Sequence, residues 1–427
     1  MVIFMETLYL GMIGPYVKLL QSVLSKTGYS AVPVDGVFGV RTQQAVIEFQ
    51  RNNGLRPDGI VGSATWNVLN KFIRGYDTYT IRQGDTLSNI ARRYFTTVGA
   101  ILTANPEINP GALRVGQKIT VPYGIDVVPT NVDYTYTIMR MNLEGLKARY
   151  PFIEVGAAGN SVLGKNLYYI RLGSGPNHVF YNGAHHAIEW ITSPLLMKFT
   201  ENFLRAYARG ESIRGYNIRD IWARSSIYII PMVNPDGVDL VIEGLKPQNP
   251  YYQQLLRWNN TGLPFSQVWE TNIRGVDLNA NYPAGWEQAK ALERAQGITG
   301  PGPKRYGGPY PLSEPESSAM VRFTRNHNFR LVIAYHSQGR VIYWRYQNLT
   351  PPQSLPIARL FAHVSGYTVA DTLGESAFAG YKDWFIQEFS RPGFTIEVGL
   401  GKNPLPLTQF DTIYRDNEEV MLLATFQ

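Results

Sequence analysis

The chain has 427 residues, 44% of them hydrophobic, with 40 Lys and Arg against 33 Asp and Glu, a formal charge of +7 and no cysteine. That length predicts more than one domain with ample core, and the missing thiols exclude disulfides and thiolate ligands, so any metal must be held by His and carboxylate. No run approaches the roughly 18 to 20 apolar residues that span a bilayer, and no basic cluster interleaved with aromatics is present to track a phosphate backbone, which argues against membrane and nucleic acid as partners.

The sequence opens Met1-Val2-Ile3-Phe4-Met5-Glu6. It has no basic n-region and Glu6 interrupts the apolar stretch, so no secretory signal is read there. Residues 1–122 hold 12 Lys and Arg against 7 Asp and Glu, an excess of +5, and such a field favours an anionic polymer. Within residues 10–73, Asp35-Gly36-Val37-Phe38-Gly39 followed by Thr42 is echoed by Asp58-Gly59-Ile60-Val61-Gly62 followed by Thr65. Each Asp-Gly predicts a turn, and each Gly-x-x-Thr leads into an apolar-periodic segment, Ala45, Val46, Phe49 and then Trp66, Leu69. With the earlier spacing of Val17, Leu20 and Leu24, three short helices are expected. On this pattern residues 1–75 resemble the peptidoglycan-binding domain that accompanies many wall hydrolases.

Residues 78–123 present two strand-like ends, 79–87 and 113–122, with helical patterns at 87–94 and 98–105 between them. Asp85-Thr86 reads as a helix N-cap and Asn105-Pro106 as a helix stop. The order strand, helix, helix, strand resembles the LysM module, which implies a ligand built from N-acetylglucosamine. Residues 124–132 have the look of a linker. Beyond them, strand-like runs at 179–181, 226–233, 331–335 and 394–398 alternate with helical stretches such as 190–208 and 314–325. This alternation predicts an α/β domain over 133–427, a mostly parallel mixed sheet flanked by helices, preceded by the three-helix domain and the βααβ module.

His186 and Glu189 follow the apolar run 178–184, at a strand's carboxyl end, where open α/β sheets bind ligands. A three-residue separation lets both converge on one ion, and His336 and Glu397 end two further strands. Two imidazoles and a carboxylate leave a fourth metal position open to water, and a further Glu can take that water's proton, which describes a metallohydrolase.

Several surrounding motifs fall in one order: Ser161-Val162-Leu163-Gly164-Lys165, His186-Ala187-Ile188-Glu189-Trp190, Asn234-Pro235-Asp236-Gly237, Gly275-Val276-Asp277-Leu278-Asn279, Ser313-Glu314-Pro315-Glu316, Tyr335-His336-Ser337, Asp383-Trp384 and Thr395-Ile396-Glu397. Together they resemble the zinc carboxypeptidase family, the carboxypeptidase A-like metallopeptidases. The resemblance implies one zinc ion on His186, Glu189 and His336, Glu397 as general base, Arg274 as stabiliser of the oxyanion and Asn279 in the substrate pocket. Three departures stand out. The family's carboxypeptidases follow the Asn of the pocket strand with an Arg that grips the terminal carboxylate, and here Ala280 follows Asn279. Ile188 stands where an Arg is usual. The family's mobile tyrosine has no counterpart in 374–380, and Tyr381 lies too close to Asp383-Trp384.

A family member without the clamp and with two glycan modules resembles the bacterial γ-D-glutamyl-L-diamino acid endopeptidases. The resemblance implies hydrolysis of the amide between the γ-carboxyl of D-Glu and meso-diaminopimelate or L-Lys, with peptidoglycan glycan chains and stem peptides as partners. Arg340, four residues past His336, is a cation placed to meet a diaminopimelate carboxylate. The alternatives are a zinc carboxypeptidase acting on the same peptides and a non-catalytic wall-binding protein. The expected compartment is the cytoplasm, or association with the wall or spore.

Overall fold

The computed structural model describes residues 5–29 and 33–427, so Met1–Phe4 of the opening stretch lie outside the described residues. Its contacts divide it into two units: one runs to Asp133 and includes Thr137–Ile153, and the other holds Tyr134–Tyr136 and Glu154–Gln427.

The first unit begins with helices Pro15–Lys26, Val40–Asn52 and Ser63–Arg74, whose buried faces carry Val17, Leu20, Leu24, Val46, Phe49, Trp66 and Leu69. The repeated Asp-Gly turns owe their form to residues outside the repeat. Gln21 is buried, and its Nε2 donates to Asp35 Oδ1 at 2.8 Å, Val37 O at 3.0 Å and Thr42 Oγ1 at 3.2 Å, while its Oε1 accepts the Gly36 N–H at 2.8 Å. Gln50 does the same for the second turn, donating to Asp58 Oδ1, Ile60 O and Thr65 Oγ1 at 3.0, 2.9 and 3.1 Å and accepting from Gly59 N at 2.9 Å. Gly36 and Gly59 have φ of 79° and 72°, left-handed values that glycine adopts without strain.

The unit continues with strands β1 (Tyr76–Thr80) and β2 (Lys118–Pro122), antiparallel from Tyr76↔Pro122 to Thr80↔Lys118, around helices Leu87–Arg93 and Val98–Ala104. Tyr79, Ile81, Leu87, Ile90, Ile101, Ile119 and Val121 form its core. Thr86 is the N-cap, accepting from Asn89 N at 3.1 Å. Asn105 does more than stop a helix: its side chain exchanges two hydrogen bonds with the Thr120 backbone and so ties the second helix to β2. Residues 124–132 are no free tether. Val127, Val128 and Val132 are buried, and Asn131 accepts from Ser22 at 2.9 Å.

In the second unit eight strands form one sheet: β3 (Glu154–Asn160), β4 (Asn166–Leu172), β5 (Asn177–Gly183), β8 (Ser225–Ile230), β9 (Leu331–His336), β10 (Val341–Tyr343), β11 (Thr368–Ala370) and β12 (Gly393–Glu397). A separate short ribbon pairs β6 (Ser212–Ile213) with β7 (Tyr216–Asn217). The sheet order is β11-β10-β12-β9-β5-β8-β4-β3. The central run β12-β9-β5-β8 is parallel, and antiparallel pairs flank it at β10-β12, β8-β4 and β4-β3. β8 and β9 are buried along their whole length, as strands covered on both faces require. The expected central strands stand where the sequence placed them. The edge strands β3 and β11, and β10 beside β11, lack a long apolar run because they are short or only half covered.

Behind the sheet's carboxyl edge, the ordered motifs meet in one buried polar network. Val162 N donates to Glu316 Oε1 at 3.0 Å and Leu163 N to Asp236 Oδ2 at 2.8 Å. Lys165 Nζ bonds Asp239 at 2.6 Å, and Asn272 Nδ2 donates to Glu314 at 2.7 Å. Glu316 is fully buried; burial pushes its carboxyl up to about 8 against the opposing Val162 N–H, with Asp236 and Glu314 adding to the push.

Two tests follow from this packing. Gln50→Leu leaves the Gly59 N–H and the Ile60 carbonyl without partners and is expected to cost roughly 2 to 3 kcal/mol in denaturant unfolding of the first unit. Because the folded chain holds the Glu316 proton more tightly than the unfolded chain, this group's contribution to stability declines as pH rises from about 5 to about 8. Glu316→Gln should flatten that part of a Tm-against-pH profile.

Candidate metal centre

The parallel register brings three distant segments to one edge. Gly183 of β5 pairs with Tyr335 of β9, and His336, the last residue of β9, pairs with Glu397, the last of β12. After β5, Ala184 takes a φ of 53°, an unfavourable value for a residue with a Cβ. Hydrogen bonds on both sides hold it: its N–H donates to Thr192 Oγ1 at 2.8 Å and its carbonyl accepts from Asn234 N at 3.0 Å. Beyond this kink, His185 enters the core and His186 the cavity. His185 is fully buried, 2.9 Å from the Tyr282 hydroxyl. Burial holds its pKa well below the ordinary value, with charge on His336 and His186 pushing the same way, so it stays a neutral structural residue.

His186, Glu189 and His336 place one ligand atom each within 4.8 Å of one another. His186 Nδ1 lies 2.9 Å from Glu189 Oε1, His336 Nδ1 lies 2.9 Å from Glu189 Oε2, and the two Nδ1 atoms are 3.3 Å apart. The outer nitrogen of His186, Nε2, is 3.1 Å from Asp277 Oδ1. A carboxylate that accepts the N–H of the outer nitrogen keeps the ring proton there and leaves the Nδ1 lone pair facing inward, as metal-binding imidazoles require. The donor set therefore fits a divalent ion of the zinc class, three protein ligands of the His and carboxylate type. Burial opposes charge on His186, yet Glu189 and Asp277 raise its pKa well above the ordinary value, while burial's upward push on Glu189 is overcome by His186 and His336. A cation is thus strongly favoured at this point, whether proton or metal.

Glu397 lines a cavity of about 300 Å³ together with His186, Asn279, Tyr343, Lys382 and Thr395. Burial raises its carboxyl well above the usual range, Glu189 and Glu270 add to this, and His186 opposes. Asn279 reaches the cavity with its Oδ1 accepting from Tyr381 N at 3.0 Å. Two other expected residues are engaged elsewhere. Arg274 donates from Nε to Glu314 Oε2 at 2.8 Å and from its guanidinium to Ser313 O at 3.1 Å, inside the polar network. Arg340 pairs with Asp416 at 3.3 Å and lies over the Tyr367 ring. Neither lines the cavity. Tyr381 is buried with its hydroxyl 2.8 Å from Thr324, and the phenol in the cavity is that of Tyr343.

Three residues escaped the sequence reading. Asp277 stood inside a quoted motif, and its position two residues before Asn279 was its only signal. Glu270, whose carbonyl accepts the Ala187 N–H at 2.8 Å, has a carboxyl raised by burial to about 7, with His186 opposing and Asp277 and Glu189 reinforcing. Lys382, adjacent to Asp383, carried no signal at all.

Comparison with known proteins places these features. The zinc carboxypeptidase family model matches residues 139–420, the peptidoglycan binding domain model residues 13–69 and the LysM domain model residues 79–122. The gamma-D-glutamyl-L-diamino acid endopeptidase 1 of Lysinibacillus sphaericus is 43% identical over 398 residues, covering 81% of this chain and 99% of that protein. Carboxypeptidase B of Bos taurus is 25% identical, over 58% of each chain. Among solved structures, the carboxypeptidase A of Helicoverpa armigera superposes with a TM-score of 0.51 at 17% identity, over 91% of this chain and 95% of the other, a likeness of fold.

Replacing Asp277 by Ala removes the acceptor that orients His186 and should weaken zinc binding about 10- to 100-fold, measured by competition with a chromogenic chelator.

Proposed function

The chain belongs to the zinc carboxypeptidase family, and from that premise we propose that it is a zinc metallopeptidase that hydrolyses the γ-D-glutamyl-L-diamino acid bond of peptidoglycan stem peptides. One observation carries the choice of bond: Glu397 and His186 line a cavity in which, among the described residues, no arginine stands, with Ala280 at the position of the missing clamp. An enzyme that recognises a free terminal carboxylate needs a planar, bidentate partner for it. A true carboxypeptidase is therefore the weaker reading. The full set His186, Glu189, His336 and Glu397 weighs against a non-catalytic one.

In the proposed mechanism His186, Glu189 and His336 hold one zinc ion, which when bound supplies a Lewis acid that polarises the amide carbonyl and makes water more acidic. Glu397 accepts the proton of the attacking water and delivers it to the departing amine nitrogen. It lines the same cavity as His186, the position a group needs to act first as base and then as acid. Asp277 keeps His186 in the tautomer that binds. Arg274 gives two of its N–H donors to Glu314 and Ser313, and the guanidinium has five, so it remains the candidate stabiliser of the oxyanion.

We assign residues 1–75 and 78–123 to glycan binding and 133–427 to catalysis, with 124–132 between them. Covalent linkage raises the effective concentration of the peptidase at its polymer. No helix among the described residues is long and apolar enough to cross a membrane, and association with the wall follows from the glycan-binding modules.

Digestion of purified muropeptides followed by mass spectrometry tests the reading. Products severed between D-Glu and the diamino acid are expected, including from substrates whose C-terminus is amidated. Glu397→Gln should lower kcat by at least about 100-fold while zinc content is retained. Release of C-terminal residues only, blocked by amidation, would instead establish the carboxypeptidase.

A further inference from the structure

A second depression opens beside the metal centre and has no part in the mechanism. It is a groove of about 830 Å³ between the end of helix Tyr252–Trp258 and the segment 296–305, and it shares no residue with the cavity of Glu397. Its wall is strapped along the residues that support the metal ligands. Glu270 N donates to Pro303 O at 2.8 Å, Gly302 N to Gly275 O at 3.1 Å and Arg305 N to Asp277 Oδ2 at 3.2 Å. The other oxygen of Asp277 meets His186 Nε2 at 3.1 Å. One carboxylate thus joins the groove to the metal centre.

The lining includes Lys304 and Arg305 and, among the described residues, no Asp or Glu. A wall of that kind favours an anionic ligand. The two cations differ in what already engages them. Arg305 donates from Nη1 to Gln296 Oε1 at 2.8 Å, whereas Lys304 is exposed and enters no ion pair among the described residues. Its field nevertheless reaches the site: burial raises the Glu270 carboxyl, and Lys304 is one of the charges that oppose this, after His186.

The chemistry of the bond supplies an anion for this lysine. Linkage through the γ-carboxyl leaves the α-carboxylate of D-Glu free on the acyl side of the scissile bond, where an ordinary α-linked peptide has none. The acyl side also continues through L-Ala toward the glycan and needs the roomier, more open site. The cavity of about 300 Å³ around Glu397 suits the residue on the amine side. We propose that the groove takes the acyl side of the substrate and that Lys304 binds the D-glutamyl α-carboxylate, with Trp258 and Ile298 as an apolar wall for the alanine. This rests on the endopeptidase reading and deepens it. Lys304 is a binding residue and takes no part in proton transfer.

The test uses the full chain with zinc and two peptides, L-Ala-γ-D-Glu-meso-diaminopimelyl-D-Ala and the same peptide with the D-Glu α-carboxylate converted to a carboxamide. Wild type should favour the carboxylate in kcat/KM by about 5- to 20-fold, the lower range of a charge-assisted hydrogen bond because Lys304 is exposed. Lys304→Gln should bring that ratio toward unity, Lys304→Arg should retain most of it and Lys304→Glu should reverse it. The change should fall on KM, as for a contact made equally in ground and transition states. An exposed substitution of this kind leaves the fold intact. A field effect on the metal centre alone would lower kcat for both peptides together. An unchanged ratio in Lys304→Gln therefore overturns the proposal, as does a wild type that releases diaminopimelyl-D-Ala from both peptides at equal rates. The latter leaves the endopeptidase reading standing. Wild type that releases only D-Ala sinks that reading, and this one with it.

Discussion

The parallel register of β5, β9 and β12 is the constraint on which the catalytic unit depends. Side chains in a sheet alternate with a period of two, so a slip of one residue would turn His336 or Glu397 to the opposite face. The pairs Gly183↔Tyr335 and His336↔Glu397 put the ends of three strands at one level, although more than a hundred residues separate β5 from β9. β9 is buried on both faces, Val332, Ile333 and Ala334 included, so a slip would force each side chain into packing shaped for another.

Gathering a metal-binding group at such an edge means burying charges close together, and the surrounding structure is shaped by that cost. Glu189, Asp277, Glu270 and Glu397 influence one another electrostatically. Unpaired, carboxylates so buried would be neutral or destabilising. Asp277 is offset by His186 and by N–H donors from Asn279 and Arg305, and Glu189 lies between two imidazoles. Among the described residues Glu397 has no such hydrogen-bond partner, and burial raises its pKa. The same rule governs the network of Glu314, Glu316, Asp236 and Lys165 behind the edge, where motifs that look catalytic by their order serve mainly to satisfy buried polar atoms.

The first unit solves a smaller version of this problem. Its Asp-Gly turns are short of backbone partners, and a buried glutamine from the preceding helix supplies them twice, with both oxygen and nitrogen of the amide in use. The duplication in sequence is thus matched by duplicated hydrogen bonding, although Gln21 and Gln50 stand 14 and 8 residues before their aspartates, too variable a spacing for a repeat to reveal.

The sequence by itself determined the elements that local patterning controls: three helices with their turns, the βααβ module, the four central strands, and His186, Glu189, His336 and Glu397 as residues at strand ends. Those are legible because periodicity, turn chemistry and position at a strand terminus are local properties. Tertiary structure alone decided which charges meet. Arg340 looked available because it stood near a motif, yet Asp416, 76 positions away, pairs with its guanidinium. Asp277, Glu270 and Lys382 gave no such promise and stand at the site. A side chain's partner is set by where the chain returns in space, and neighbours along the sequence do not carry that information.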